Sequence, residues 1–198
     1  MGNPGSAILV GLACAGCGTV GPGRLDGTTM REAATIPAQE LEIRVDERGE
    51  VQKLAMEHGD ASRIPAAVMK LVQEKLPGAS PERYELELRP GTPATYEVEV
   101  KTKGGQHCEV AGLADGTFKY LECELPAAEL PATITDWIKA NHPGAAISEV
   151  ETVKGPGVDE IAVEIKVGEA LFALHFKASG ELLRRCLVVP ATIELPRP

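Results

Sequence analysis

Apolar and polar side chains alternate with a period of two over several short segments of the chain. The alternation is clear at 84–88 and 96–100, and it returns at 161–165. This period is typical of β-strands that bury one face and expose the other. Asp115-Gly116 and Ser179-Gly180 lie between neighbouring strand segments and are typical of tight turns, so we predict antiparallel hairpins.

A helical period occurs in two segments that repeat each other. Residues 64–79 begin Ile-Pro-Ala and end Pro-Gly-Ala, and residues 130–145 begin Leu-Pro-Ala and end with the same three residues. A proline near the first turn and a Pro-Gly stop predict a short helix in each segment. The predicted buried stripes are Val68, Leu71 and Val72 in the first helix and Ile134, Trp137 and Ile138 in the second.

These elements predict an α+β fold of two tandem modules, each a short helix packed on an antiparallel sheet, preceded by an extra hairpin. Helices this short are marginal alone and need a sheet to pack on. The chain has 198 residues, of which 43% are apolar, which suffices for two small cores. The predicted divisions are a signal-like segment at 1–17, a linker at 18–38, the extra hairpin at 39–60, module one at 62–125, module two at 128–190 and a tail at 191–198.

The charge balance restricts the class of partner. Twenty basic and 29 acidic side chains give a formal net charge of −9. Such a chain repels phosphate backbones and anionic lipid, so we expect no nucleic-acid partner. Many carboxylates alternate with apolar residues along the predicted strands. We therefore assign them to solvent-facing positions rather than to an acid–base pair.

The N-terminal segment has the character of an export signal. Residues 7–17 form an apolar stretch of h-region length that ends in small residues and cysteine. This ending resembles the lipobox of bacterial lipoproteins, with Cys17 after Ala-Gly and Cys14 after Leu-Ala as the two candidate acylation sites. No Lys or Arg precedes the stretch, and a plain apolar tail is the alternative. We expect contact with a membrane only through this lipid anchor.

The residues that could carry chemistry are few. Four histidines occur without the spacing of a metal site, so we expect no metal and no cofactor. His142 and His175 are the candidates for a hydrolase that would use nearby carboxylates. Trp137 lies on a helix stripe and is predicted to be core rather than a binding anchor. No catalytic residue is assigned, and we expect the protein not to be an enzyme.

The second repeat resembles a known family. Its features are Leu-Pro, a short helix, Asn-His-Pro-Gly-Ala at 141–145, alternating strands, and a closing strand and turn at 176–181. This pattern resembles the PepSY-like domains, also described as β-lactamase-inhibitor-like. The resemblance implies small secreted or membrane-anchored binding modules, sometimes linked to inhibition of proteases or β-lactamases. It supplies no catalytic residues.

The functional expectation combines these observations. We expect an exported, non-catalytic binding protein of the cell envelope, periplasmic or lipid-anchored, that holds a protein or peptide as an inhibitor or assembly factor. A small-ligand sensor with an apolar cavity is one alternative. The hydrolase that would use His142 or His175 is another, and it requires a histidine beside an acid or thiol in a shared pocket.

Two cysteines are predicted to form a disulfide. If Asp115-Gly116 is a two-residue turn, Cys108 and Cys123 face each other across one hairpin. Opposed residues of an antiparallel pair lie within the separation that a disulfide bridges, and an oxidising envelope would keep the bond. The corresponding turn of the second repeat places Cys186 opposite Ala173, without a partner. The alternative is three reduced, buried thiols.

Overall fold

Ten antiparallel strands and two short helices make up the computed structural model, which describes residues 40–46 and 48–190. The strands are β1 Glu40–Val45, β2 Val51–His58, β3 Ser80–Leu88, β4 Thr95–Lys101, β5 His107–Leu113, β6 Phe118–Glu124, β7 Ala146–Gly155, β8 Val158–Val167, β9 Ala170–Lys177 and β10 Leu182–Pro190. The helices are α1 Ala66–Lys75 and α2 Ala132–Asn141, preceded by single 3-10 turns at Ala61–Arg63 and Ala127–Glu129. None of the described helices has the length and hydropathy needed to cross a membrane. Cys14, Cys17 and the predicted signal, linker and tail lie outside the described residues.

The strands close into one barrel. Each strand pairs with its neighbours along the chain, and β1 also pairs with β10, from Glu42 opposite Pro190 to Val45 opposite Leu187. At the middle of the chain, β6 pairs directly with β7. The predicted α+β fold of two tandem modules, each with its own sheet, is therefore wrong. The β1–β2 hairpin forms, but as part of the barrel wall rather than ahead of a separate sheet.

Both helices begin and end where the repeat predicts them. Pro65 and Pro131 occupy the N-cap positions, and each helix ends two residues before its Pro-Gly pair. Each helix packs on the outer face of the barrel through its apolar stripe. In α1 the buried contacts come from Val68, Leu71 and Val72, which meet valines of β4 and β5. In α2 they come from Ile134 and Ile138, which meet Val163, Leu174 and Phe176.

The opposite face of the sheet lines the barrel interior and is strongly polar. Arg44 of β1 contacts Glu164 of β8 at 3.1 Å, and the hydroxyl of Tyr120 in β6 donates to Glu87 of β3 at 3.1 Å. These strands are not neighbours in the sheet, so the contacts cross the interior. The expectation that the alternating carboxylates face solvent is therefore wrong for this face. The strand registers place a set of glutamates on this face, named here the inner carboxylates: Glu40, Glu42, Glu57, Glu85, Glu87, Glu97, Glu99, Glu109, Glu122, Glu124, Glu149, Glu151, Glu160 and Glu164.

Candidate functional site

Like charges stand opposite each other across several strand pairs of the interior. Glu109 lies opposite Glu99 on one side and Glu122 on the other. Glu124 lies opposite Glu151 in the β6–β7 pair. Directly opposed like charges destabilise a sheet unless cations or protons compensate them. The interior must therefore contain one or both.

One side of the interior is compensated by cations. The ammonium of Lys53 lies 3.3 Å from Glu85 and 3.5 Å from Glu87. The guanidinium of Arg89 contacts Glu87 at 2.6 Å. Burial opposes ionisation of Glu87, which is 1% exposed, but Lys53 and Arg89 outweigh it and lower the pKa of Glu87 to about 2. This carboxylate is charged and paired at neutral pH.

The other side lacks such cations. Among the residues that the structure describes, Glu109, Glu122 and Glu151 make no ion pair. Burial, together with the negative charge of Glu122, raises the pKa of Glu109 to about 8. Burial and the charges of Glu122 and Glu109 raise the pKa of Glu151 to about 10. Glu109 and Glu151 therefore favour the protonated form at neutral pH, because no ion pair among the described residues balances their charge.

A small cavity of about 50 Å³ opens among these uncompensated groups. We call it the carboxylate cavity. His107 stands at its edge, with Nδ1 3.3 Å from carboxylate oxygens of both Glu82 and Glu99. A polar space of this size is large enough for water. Its lining residues are Arg83, Glu99, His107, Cys108, Glu109, Glu124, Glu149 and Glu151.

A larger groove of about 580 Å³ adjoins the carboxylate cavity at one rim of the barrel, and the two share Glu124 and Glu149. We call it the β7 groove. It lies between the β4–β5 turn, the segment after β6 and the first half of β7. Gln106 in that turn donates its side-chain amide to the carbonyl of Glu124 at 2.9 Å. Its lining residues are Gly104, Gly105, Gln106, Glu124, Leu125, Pro126, Ala127, Ile147, Ser148, Glu149 and Val150.

The β7 groove exists because β6 is shorter than the edge of β7 that it faces. The last ladder pair joins Glu124 to Glu151, and one further bond runs from the Leu125 N–H to the Val150 carbonyl at 2.8 Å. Pro126 then directs the chain into a 3-10 turn. In the described part of the chain, nothing pairs with residues 146–149 on this side. The backbone there forms an open strand edge of four residues.

The two histidines considered for catalysis lie elsewhere. His175 is 7% exposed, with Nδ1 3.2 Å from Glu160 and 2.8 Å from Arg184. One nitrogen cannot donate to Glu160 and accept from Arg184 together; the guanidinium always donates, so we assign Nδ1 as the acceptor. Burial lowers the pKa of His175 to about 4, against the effect of Glu160. It is neutral at pH 7 and lines neither cavity described above.

His142 packs as part of the α2 side of the core. Its ring lies between Trp137 and Phe172, with centroid separations of 5.9 and 5.4 Å. Burial lowers its pKa, and its Nε2 has no hydrogen-bond partner among the described residues. Trp137 itself meets the edge of Phe176 at 5.3 Å and packs against the core, as the helix pattern predicts. Neither residue contributes to the β7 groove.

Cys108 and Cys123 face each other in the β5–β6 pair, with Cα atoms 4.0 Å apart and the sulfurs bonded. The turn differs from the predicted one, since Leu113 and Thr117 close it and Asp115-Gly116 lies inside. A bulge at Lys119 restores the register by one residue. Cys186 is buried opposite Ala173 and has no disulfide partner in the described residues.

Sequence reasoning missed the β7 groove and the inner carboxylates. A signal for the inner carboxylates was present, because glutamates alternate with other residues in β3, β4 and β6, and β5 between them carries Glu109. Glutamates that lie directly opposite each other on a solvent-facing sheet would repel each other and destabilise it. The groove depends on where β6 ends relative to β7, which no local pattern encodes.

Known structures share this fold at low sequence identity. A protein described as periplasmic from Bacteroides eggerthii DSM 20697 has a TM-score of 0.52 and 17% identity, over 63% of this chain and 88% of that one. A DUF2874 family protein from Bacteroides uniformis ATCC 8492 has a TM-score of 0.51 and 17% identity, over 62% and 88%. A BLIP-like protein from Bacteroides fragilis NCTC 9343 has a TM-score of 0.49 and 19% identity, over 68% and 93%.

No protein-family profile and no curated protein matches the chain. At 17% identity the two structures above a TM-score of 0.5 show a similarity of fold alone. The PepSY-like resemblance and the lipoprotein signal stay predictions.

Proposed function

We propose that the chain is a non-catalytic binding protein of the cell envelope that holds a protein or peptide partner. The observation that carries the proposal is the β7 groove, which places an open strand edge beside a set of partner-less carboxylates. Open edges accept extended segments of other chains through main-chain hydrogen bonds. A groove of this kind serves an inhibitor or an assembly factor equally well.

The described site geometry favours binding over hydrolysis. A hydrolase needs an acid, a base and a space for substrate that converge. His175 is neutral beside Glu160 and Arg184 but lines neither cavity, and His142 packs between aromatic rings. In the carboxylate cavity, His107 lies at hydrogen-bond distance from Glu99 at the edge. The other carboxylates that line this cavity have no histidine at that distance among the described residues.

The geometry also disfavours a sensor for an apolar ligand. Small-molecule sites are mostly apolar cavities with a few placed polar groups. The interior of this barrel is instead filled by charged side chains, including Lys53, Arg44 and Glu87. The β7 groove is open, and its lining mixes backbone, glycine and carboxylate groups.

Export is part of the proposal. It is supported by the signal-like stretch at 7–17, with Cys17 or Cys14 as the lipid-bearing residue, and by the paired sulfurs of Cys108 and Cys123, since disulfides persist in oxidising compartments. Fractionation of native cells should place the full-length protein in the envelope. Its N-terminal peptide should carry an acyl mass on one of these two cysteines. A cytoplasmic, unacylated protein would overturn the export part.

The binding part is tested by cross-linking the full-length protein in intact native cells and purifying it under denaturing conditions. We expect one or a few proteins to cross-link in stoichiometric amounts, and a cross-linked peptide to map to the β7 groove. A matched sample of the unfolded, reduced chain controls for non-specific capture. Recovery of no partner, together with hydrolytic activity lost in His175→Ala, would contradict the proposal.

A further inference from the structure

We propose that the open edge of β7 is a docking site for an extended basic segment of the partner protein. The segment adds as a strand along residues 146–149 and places a lysine or arginine between Glu124 and Glu149, directed toward the carboxylate cavity. This inference rests on the proposed function, because it names the site and the chemistry of the partner.

The first support is the state of the backbone along the edge. In an antiparallel strand, every second residue directs its N–H and C=O toward the same neighbour. The Val150 carbonyl is directed to the β6 side, where Leu125 satisfies it. The strand continues in the direction of Ala146, where no described backbone group pairs with this side. Main-chain groups of a strand edge are a template for another strand.

The second support is the shape of the edge. Four residues at about 3.3 Å each give a docking length of about 13 Å, which suits a short extended segment. A bulge at Ser148 separates the pairs of Ile147 and Glu149 with β8. Its hydroxyl donates to the Glu164 carbonyl at 3.2 Å, on the β8 side. Bulges re-aim side chains at strand edges, and the Ser148 hydroxyl is engaged on the β8 side, away from the open edge.

The third support is the charge of the two adjoining cavities. Five carboxylates line the carboxylate cavity, and the cation among them, Arg83, is held by Glu99 at 2.5 Å and by Glu57 at 3.1 Å. Glu124 and Glu149 are exposed where the two cavities adjoin, and they have no ion pair among the described residues. These unpaired carboxylates attract a basic side chain from a docked strand and repel an acidic one.

The test uses synthetic peptides and the full-length protein in EDTA, so that metal ions do not compete. The probe is a fluorescent octapeptide that alternates valine and arginine, and binding is followed by polarisation. One control peptide replaces each arginine by glutamate. A second keeps the arginines but is N-methylated at every amide, which removes strand pairing and leaves the charge. We expect each control to bind at least about tenfold more weakly.

Charge variants locate the site. The double variant E124Q/E149Q should bind the arginine peptide about five- to tenfold more weakly, since each exposed charge contact contributes modestly. The matched control, E74Q/E181Q, removes the same charge from exposed positions that pair with Lys70 and Lys177. It should leave the affinity unchanged.

A second measurement does not depend on variants. Amide hydrogen exchange at those N–H groups of residues 146–149 that are directed to the β6 side should slow at least about tenfold when the arginine peptide saturates the protein, because strand pairing protects them. Unchanged exchange there, or equal affinity for the N-methylated peptide, overturns the docking mode. Equal affinity for the glutamate peptide overturns the basic character of the partner.

Failure of this inference and failure of the proposed function give different results. If E124Q/E149Q cross-links the same native partner as the wild-type protein with equal yield, the partner binds elsewhere and the proposed function stands. If neither protein cross-links any partner, the proposed function fails, and the peptide measurements alone decide whether the edge accepts strands.

Discussion

Single residues determine the chemistry of the barrel interior, and the cysteine pair shows how far sequence reasoning reaches at this scale. The register between Cys108 and Cys123 follows from counting back from the turn, and the structure has that register. The route to it differs, since the turn is closed by Leu113 and Thr117 and a bulge at Lys119 corrects the count. Glycine at 116 has a φ of 86°, which favours glycine at this point of the turn.

The double substitution C108A/C123A should lower the free energy of unfolding. A loop of fifteen residues gives about 3 kcal/mol in the chain-entropy model, and the hairpin already restrains its ends, so we expect about 1 to 3 kcal/mol. Chemical denaturation measures it. Cys186→Ala, at a buried position without a disulfide partner in the described chain, is the control for loss of a thiol. Reaction of both Cys108 and Cys123 with a thiol reagent in denatured, unreduced native protein would refute the pairing.

Glu109 should make the stability of the barrel fall as pH rises. Its pKa is about 8 in the folded chain, above the ordinary value of 4.5, so folding favours the protonated carboxyl. The stabilisation that the protonated Glu109 carboxyl gives the folded state is fully present below about pH 4.5 and is lost as the pH rises through about 8. We therefore expect Glu109→Gln to be more stable than the wild-type protein at about pH 8.5, by about 1 to 3 kcal/mol, and nearly equal at about pH 4.

Urea unfolding at several pH values tests this expectation. Glu74→Gln, on the exposed face of α1, is the control and should show no pH-dependent gain. Glu87 behaves in the opposite sense, because its pKa of about 2 lies below the ordinary value. Its contribution is present above about pH 4.5 and is lost as the pH falls through about 2. A wild-type stability that rises steadily from about pH 5 to 8.5 would contradict the role given to Glu109.

At the scale of elements, the helices were predictable and the strand ends were not. A helix depends on short-range signals, and Pro65 and Pro131 with their apolar stripes gave both positions. Strand positions also followed from alternation. The length of each strand relative to its neighbour did not, because it depends on where the next element leaves the sheet. The β7 groove is a direct result of that mismatch between β6 and β7.

The β6–β7 pair depends on a close backbone approach at Gly155. A Cβ on this residue would overlap the carbonyl oxygen of Lys119. Gly155→Ala should therefore destabilise the protein by about 1 to 3 kcal/mol, as overpacking against backbone does. Gly104→Ala is the matched control, since its added Cβ would meet only the Thr102 hydroxyl, at 3.8 Å. Thermal and chemical denaturation measure both; equal stability of the two variants would show that the strands can separate at Gly155 without cost.

At the scale of the whole molecule, the sequence predicted local units but not their assembly. A repeat with one helix and a set of strands is compatible with two separate sheets or with one continuous sheet. The pairing of β1 with β10 decides between them, and residues far apart in sequence make it. Closure also turns the polar face of the sheet toward the barrel interior instead of toward solvent. Alternation marks which residues share a face, but it does not say whether that face meets water or the opposite wall.

Closure can be tested by a disulfide across the seam. Ile43 and Val189 are opposed residues of β1 and β10. Opposed Cα atoms in such a pair are about 4.5 to 5.5 Å apart, so I43C/V189C should oxidise to an intramolecular bond in the folded protein. Peptide mapping by mass spectrometry detects it. The control I43C/K177C places its two cysteines on β1 and β9, which are separated by β10, so it should remain reduced. Equal, slow oxidation of both variants would mean that the two strands do not meet.

The seam also determines where the chain enters and leaves the barrel. Strands alternate in direction, so Glu40 at the start of β1 and Pro190 at the end of β10 lie at the same rim as the β4–β5 turn and the first residues of β7. A tag joined directly to residue 40 or residue 190 would therefore lie at the same rim as the β7 groove. A circular permutant that joins residue 190 to residue 40 through a short linker and opens the chain at Pro156-Gly157 moves both ends to the opposite rim. The permutant can then be immobilised on a surface through its new ends, at the rim opposite the β7 groove, for measurements of partner binding.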